Sequence, residues 1–160
     1  MSQQELLKKV IAVLNSLGIE LMVSGSYASS LQGEPRSTHG IDLVISIDTV
    51  SVDALIEAFP ATDFYLTGKK LIIDAIRNKR MFNLIDGKEG DKVDFWMLTN
   101  QPFDLSRFSR KYEEHFLGIK IPVSAPEGKL DLDYLQRWSQ ALAVDTLWQR
   151  LLQEARPESQ

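Results

Sequence analysis

Two apolar, strand-like segments, "IDLVISI" at 41–47 and "KVDFWML" at 92–98, each carry a single carboxylate, Asp42 and Asp94. No other feature restricts the fold as much. Runs this rich in β-branched and aromatic residues read as strands buried in a sheet, and an unpaired carboxylate is costly to bury. Asp94 must therefore meet a cation, a hydrogen-bond donor or solvent at the sheet edge. A salt bridge serves it as well as a metal, and Lys92, two residues earlier, is a candidate partner. Asp42, taken alone, reads equally as a strand-end carboxylate capping a neighbouring turn.

The remaining pattern supplies a sheet with helices against it. Ser2 and Glu5 form a capping-box signature, and Leu6, Leu7, Val10, Ile11, Leu14 and Leu17 follow at helical spacing, predicting a helix over 3–17 stopped by Gly18. A strand, "IELMVS", follows, then a short helix over "SYASSLQ" and a loop, "GEPRSTH". Ser51 is expected to cap a helix over "VDALIEAF", "DFYL" is a short extended piece, and "KKLIIDAIRNK" is helical. "MFNLI" and "KVDFWML" flank the turn "DGKEGD" as a hairpin. Asp104 is expected to cap a helix over "LSRFSRKYE", "FLGIKIPV" is a strand, and "LDYLQRWSQAL" and "DTLWQRLLQEA" close the chain as two helices. The order predicts an α+β fold, a mixed sheet with flanking helices and a short C-terminal helical pair.

Composition narrows the function. The 160 residues carry a net charge of −4, so no global field draws the chain onto nucleic acid or anionic membrane. With no cysteine and two histidines, thiolate sites are excluded and a zinc site is not expected. The N-terminus lacks an apolar signal core, and a cytoplasmic location is the expectation.

One further sequence signal stands at the end of the first strand. Gly25-Ser26 opens a predicted helix, where unpaired N–H groups can bind phosphate oxygens and glycine permits close approach; a plain turn is the alternative. In a strand, residues i and i+2 share a face, so a D-x-D pair ending at Asp42 would aim two carboxylates at one point, as two-metal phosphoryl transfer requires. Position 40 is glycine instead.

Taken in order, "VSGSYASSLQGEPRSTHGIDLVI" resembles the signature of the nucleotidyltransferase superfamily, the DNA-polymerase-beta-like fold. It is most similar to a group of small bacterial nucleotidyltransferases that read G-x-x-A, then G-x-x-R-x-T-x-D-I-D-L. Gly25, Ala28, Gly33, Arg36, Thr38, Ile41, Asp42 and Leu43 fall in register, and Asp94 falls where that group has its third carboxylate. The resemblance spans about residues 5–127. It implies a nucleotidyltransferase-like domain over 1–127 and a helical extension over 128–160 packed on the same domain.

The resemblance implies Asp42 and Asp94 as catalytic residues and Mg²⁺ ligands, and Gly25, Ser26, Arg36 and Thr38 as nucleotide-binding residues. A nucleoside triphosphate would be bound with Mg²⁺ and its nucleotidyl group transferred to a hydroxyl. Gly40 leaves the carboxylate triad incomplete, so activity is expected to be weakened. Two carboxylates with waters suit one magnesium ion better than two. The alternative is a non-catalytic regulatory or antitoxin-like domain, acting on a helical partner protein. "VSAPEG" is similar to a place where relatives continue into a longer helical segment, so the chain looks shortened there.

Other candidates read as ordinary surface or core. Arg77, Lys79 and Arg80 suit a solvated helix end. Arg107 and Lys111 are one i,i+4 step apart and could line a phosphate channel beside Arg110, although a solvated face is the simpler reading. Trp96, Trp138, Trp148 and Tyr134 are expected in the core or docking helices.

Overall fold

Helix α1 (Gln3–Ser16) begins where Ser2 and Glu5 close a reciprocal capping box, the Ser2 side chain accepting from Glu5 N–H and the Glu5 carboxylate accepting from Ser2 N–H at 2.8 Å. The computed structural model describes residues 1–25, 28, 40–116, 118–125 and 132–154. They divide into two compact units, Met1–Ala125 and Pro126–Gln160.

The first unit holds seven strands: β1 (Glu20–Ser24), β2 (Gly40–Ser46), β3 (Phe64–Leu66), β4 (Met81–Asp86), β5 (Lys92–Met97), β6 (Tyr112–Phe116) and β7 (Ile119–Val123). They form one mixed sheet in the order β3-β4-β5-β2-β1-β7-β6. The β2–β5 and β1–β7 pairs are parallel, and the other four are antiparallel. Among the described residues, helices α2 (Val52–Ala58), α3 (Lys69–Arg77) and α4 (Pro102–Ser109) accompany α1 and the sheet. The fold is α+β.

Strand parity decides what the sheet buries. Ile41, Leu43 and Ile45 of β2 and Val93, Phe95 and Met97 of β5 join one core with Leu6, Leu7, Val10, Ile11 and Leu14 of α1. The Phe82 and Phe95 rings meet across the hairpin with centroids 4.9 Å apart. The alternate residues, Asp42 and Asp94 among them, are left for the opposite face.

Four local expectations are corrected. Ser51 makes no side-chain cap. Asp48 does so earlier, its carboxylate accepting from Val50 and Ser51 N–H at 3.0 and 3.1 Å to start a 3₁₀ turn, Thr49–Ser51, that runs into α2. Asp104 is not a cap either: α4 begins at Pro102, whose fixed φ and missing donor suit a first turn, and Asp104 is hydrogen-bonded to the Thr99 hydroxyl.

That helix stops at Ser109, so "RKYE" does not continue it. Tyr112–Phe116 is instead β6, with Tyr112 and Phe116 packed on the core at alternate positions. "FLGIKIPV" thereby divides between β6 and β7, with Gly118 at φ 76° between them. The helix expected over "SYASSLQ" lies, apart from Ala28, outside the described residues.

In the second unit, α5 (Leu132–Ala141) and α6 (Asp145–Glu154) are joined through Ala143 at φ 55°. Gln136 Oε1 accepts from the Trp148 indole at 2.8 Å and from the Gln149 amide at 2.9 Å, tying the pair together. Among the described residues no helix is long and apolar enough to cross a membrane.

Candidate functional site

Asp42 and Asp94 are direct neighbours: β2 and β5 run parallel in a register that pairs Asp42 with Asp94 and Gly40 with Lys92. Register-paired residues on adjacent strands project to the same face. The polar row extends further, because Ser24 pairs with Asp42 across β1–β2 and Asn83 with Asp94 across β4–β5. At its far end the Thr67 hydroxyl donates to Asn83 Oδ1 at 3.1 Å and accepts from Asn83 N–H at 3.1 Å.

Gly25 shapes the near end of the row. It adopts φ +67°, a conformation L side chains rarely take, and a Cβ built there would collide with Asp42 Oδ2 and lie 3.1 Å from Asp42 Cγ. Glycine is thus required twice, for the backbone turn and for the space its missing side chain leaves to the carboxylate. The other Asp42 oxygen, Oδ1, accepts from the Trp96 indole at 3.2 Å.

Asp94 is only 9% exposed. Its Oδ2 is held by Lys92 Nζ at 2.8 Å, whereas its Oδ1 is buried with no hydrogen-bond partner. The hydrogen bond and charge of Asp94, aided by the charge of Asp42, hold the Lys92 ammonium above the ordinary lysine range. A buried carboxylate oxygen without a donor is a costly arrangement that a cation would relieve.

Gly40 owes nothing to backbone need. A Cβ there would meet Lys92 Cε and the Lys92 carbonyl oxygen at 3.8 Å, ordinary contact distance. A side chain therefore fits, and the space beside position 40 is crossed by the Lys92 alkyl chain.

These contacts test the expected metal. Among the described residues no group of three or more His, Cys, Asp or Glu could hold an ion. Two register-paired carboxylates, one of them with an oxygen that makes no hydrogen bond, suit one hard cation that keeps waters. They do not suit a pair of ions, because position 40 adds no third carboxylate and Lys92 already neutralises part of the charge.

The other expected site residues fare differently. Ser26, Arg36 and Thr38 lie outside the described residues. Arg77, Lys79 and Arg80 are exposed, with Arg80 paired to Asp74 at 3.4 Å. Lys111 does not share a helix face with Arg107, since α4 ends first; its ammonium lies 3.3 Å from Glu20 and over the Phe108 ring.

Trp96 is also corrected: it is 47% exposed and sits on the acidic face, not in the core. Its place two residues beyond Asp94 was a parity signal, outweighed by its large apolar ring. Ser24 and Asn83 carried no such signal, because only the register brings them to this row.

No protein-family model matches the chain, and no curated protein matches it. Among solved structures, the chain is similar to a Thermotoga maritima protein provisionally named as a nucleotidyltransferase. The two are 19% identical, 96% of each chain is covered, and the TM-score is 0.48.

Proposed function

We propose that this chain is a nucleotidyltransferase-like protein that binds a nucleoside triphosphate with one Mg²⁺ at the row carrying Asp42 and Asp94, and transfers nucleotidyl groups only weakly. The observation that carries this reading is the Asp42–Asp94 register beside Gly25, whose missing Cβ leaves room for the Asp42 carboxylate. The order of motifs in the sequence supports it.

In this reading Asp42 and Asp94 would hold the ion. When bound, it would neutralise triphosphate charge and polarise the reacting phosphoryl group. Asp42 is oriented from the side by the Trp96 indole, and the Asp94 carboxylate is paired with Lys92 at 2.8 Å. With no carboxylate at position 40, nothing is supplied to hold a second ion that would activate the attacking hydroxyl, and turnover is slow for that reason. Gly25, Ser26, Arg36 and Thr38 would bind the phosphates from the turn and loop that precede β2.

Calorimetric titration with Mg²⁺–ATP tests this directly. Wild-type protein binds, and Asp42→Asn loses affinity at least about tenfold, the lower bound for disturbing a metal's surroundings. Equal binding by the two proteins would remove Asp42 from the site.

The second reading is a non-catalytic regulatory or antitoxin-like domain. The Lys92–Asp94 ion pair, which satisfies half of the carboxylate without any ligand, favours it. Under it the protein binds no Mg²⁺–ATP and instead co-purifies in a defined stoichiometric complex with a helical partner protein.

A further inference from the structure

The feature left over from that reading is the coupling of Gly40 to Lys92. They are register partners, and the Lys92 chain passes within 3.8 Å of where a position-40 side chain would begin. The ammonium it carries lies 2.8 Å from Asp94 Oδ2, with Asp42 in the adjacent register position. A lysine thus holds a monovalent positive charge where the carboxylate pair would otherwise attract a divalent one. The lysine side chain is 41% exposed, whereas that of Asp94 is 12% exposed, so the lysine can leave toward solvent while the acid stays.

We propose that Lys92 is a built-in counter-ion for the Asp42–Asp94 pair, which a free divalent cation must displace and which a metal–nucleotide re-engages through its phosphates. The inference rests on the nucleotide-binding reading above and adds a residue to it. Two like charges cannot share one oxygen cage without strong repulsion, so metal alone binds poorly to the resting site. An incoming triphosphate brings its own metal and also offers anionic oxygens to the displaced ammonium, a compact point charge suited to phosphate. The ordered consequence is that metal enters with nucleotide rather than before it. Asp94 Oδ1, buried and lacking a hydrogen bond, is the oxygen that the arriving ion would satisfy.

The test compares wild type with Lys92→Gln, using Mn²⁺ alone and Mg²⁺–ATP in separate calorimetric titrations. Loss of the ammonium is expected to tighten Mn²⁺ binding by on the order of tenfold, the usual scale of coupling between competing ligands. The same variant is expected to weaken Mg²⁺–ATP binding by a similar factor. Opposite signs are the signature, because a merely structural lysine would weaken both. Quenching of Trp96 fluorescence by Mn²⁺ follows the same order, since its indole is bonded to Asp42, and Trp96→Phe supplies the blank.

Lys92→Arg keeps the charge and leaves Mn²⁺ binding as weak as in wild type. The inference is overturned if Lys92→Gln, folded by its melting curve, binds Mn²⁺ no more tightly than wild type, or if it binds Mg²⁺–ATP equally well. Should neither protein bind Mg²⁺–ATP, the hand-over to phosphate fails with the nucleotide reading, while tighter Mn²⁺ binding by the variant still upholds the counter-ion role.

Discussion

The β4–β5 hairpin carries two buried acids, and they are settled in different ways. Asp86, at the end of β4, is 2% exposed and is absorbed by its own turn. Its Oδ1 accepts from Lys88 N–H at 3.1 Å, and its Oδ2, which like Asp94 Oδ1 is buried without a hydrogen bond, is met instead by the charge of the Met1 amine 3.3 Å away. Asp94, in the middle of β5, has one oxygen on Lys92 and one with no partner. At Asp86 the oxygen without a hydrogen bond faces a cation, whereas at Asp94 the cation sits on the other oxygen and Oδ1 is left without one. Buried polar groups that remain unsatisfied belong to sites more often than to scaffolds.

Exchanging the two acids' fates gives the largest expected effects. Asp94→Asn removes a proposed ligand, so Mg²⁺–ATP affinity should fall by about 100-fold, near the upper end for disturbing a metal's surroundings. Its melting temperature should fall only slightly, because loss of the Lys92 ion pair is offset by relief of a buried oxygen without a hydrogen bond. Asp86→Ala should do the reverse, costing about 1–3 kcal/mol in urea unfolding through lost turn hydrogen bonds and leaving nucleotide affinity intact. If Asp94→Asn destabilised the protein as much as Asp86→Ala did, the distinction would be void.

Next in size is Gly25→Ala. The left-handed backbone costs about 1–2 kcal/mol for an L side chain, and the new methyl would push against Asp42. Chemical denaturation should show that loss, and calorimetry should show weaker Mg²⁺–ATP binding alongside it. Normal affinity in a destabilised variant would mean that Asp42 need not sit where it does.

Gly40→Asp should be smaller still. The side chain fits, so stability should change by less than about 0.5 kcal/mol, as at most unstrained positions. With Lys92 present, the added carboxylate pairs with the ammonium, and Mn²⁺ affinity should rise only a few-fold. Combined with Lys92→Gln the gain should exceed the sum of the single effects, which a double-mutant cycle reads directly.

Part of the polar row proposed as the site was legible in the sequence. A lone acid in an apolar strand betrayed Asp94, because burial without a partner has a cost that composition alone exposes. The face that Asp42 shares with position 40 followed from strand parity. What could not be read was non-local. The parallel β2–β5 register is set by two segments some fifty residues apart, and nothing in either one names its partner row. Trp96 was taken for core because its ring outweighed its parity with Asp94. Asp86 looked like any turn acid, since its burial arises from how the hairpin end packs. Strand β6 was read as the tail of a helix because the helix signal of α4 ran into it, and its alternating Tyr112 and Phe116 are too few to announce a strand.

The weakest effect, and the one that most sharpens the comparison, is in pH. The Lys88 N–H bond, assisted by the Met1 amine, holds the Asp86 carboxyl below its usual range. A group depressed on folding contributes stability above its unfolded pKa, about 3.9, and that contribution is lost as pH falls through the lower folded value. Lys92 is shifted the other way, raised by Asp94 and then by Asp42. Its contribution is complete below the unfolded value of about 10.4 and disappears as pH climbs through the higher folded one. The hairpin should therefore have two separate edges. Melting curves of wild type, Asp86→Asn and Lys92→Gln check this: wild type and the Asp86 variant should differ at neutral pH, begin to approach one another below about pH 4 and meet only below the lower folded value. Wild type and the Lys92 variant should instead converge only in strong alkali. Convergence of both variants at the same end would show that the two acids are held by one shared network, and the contrast drawn between them would be lost.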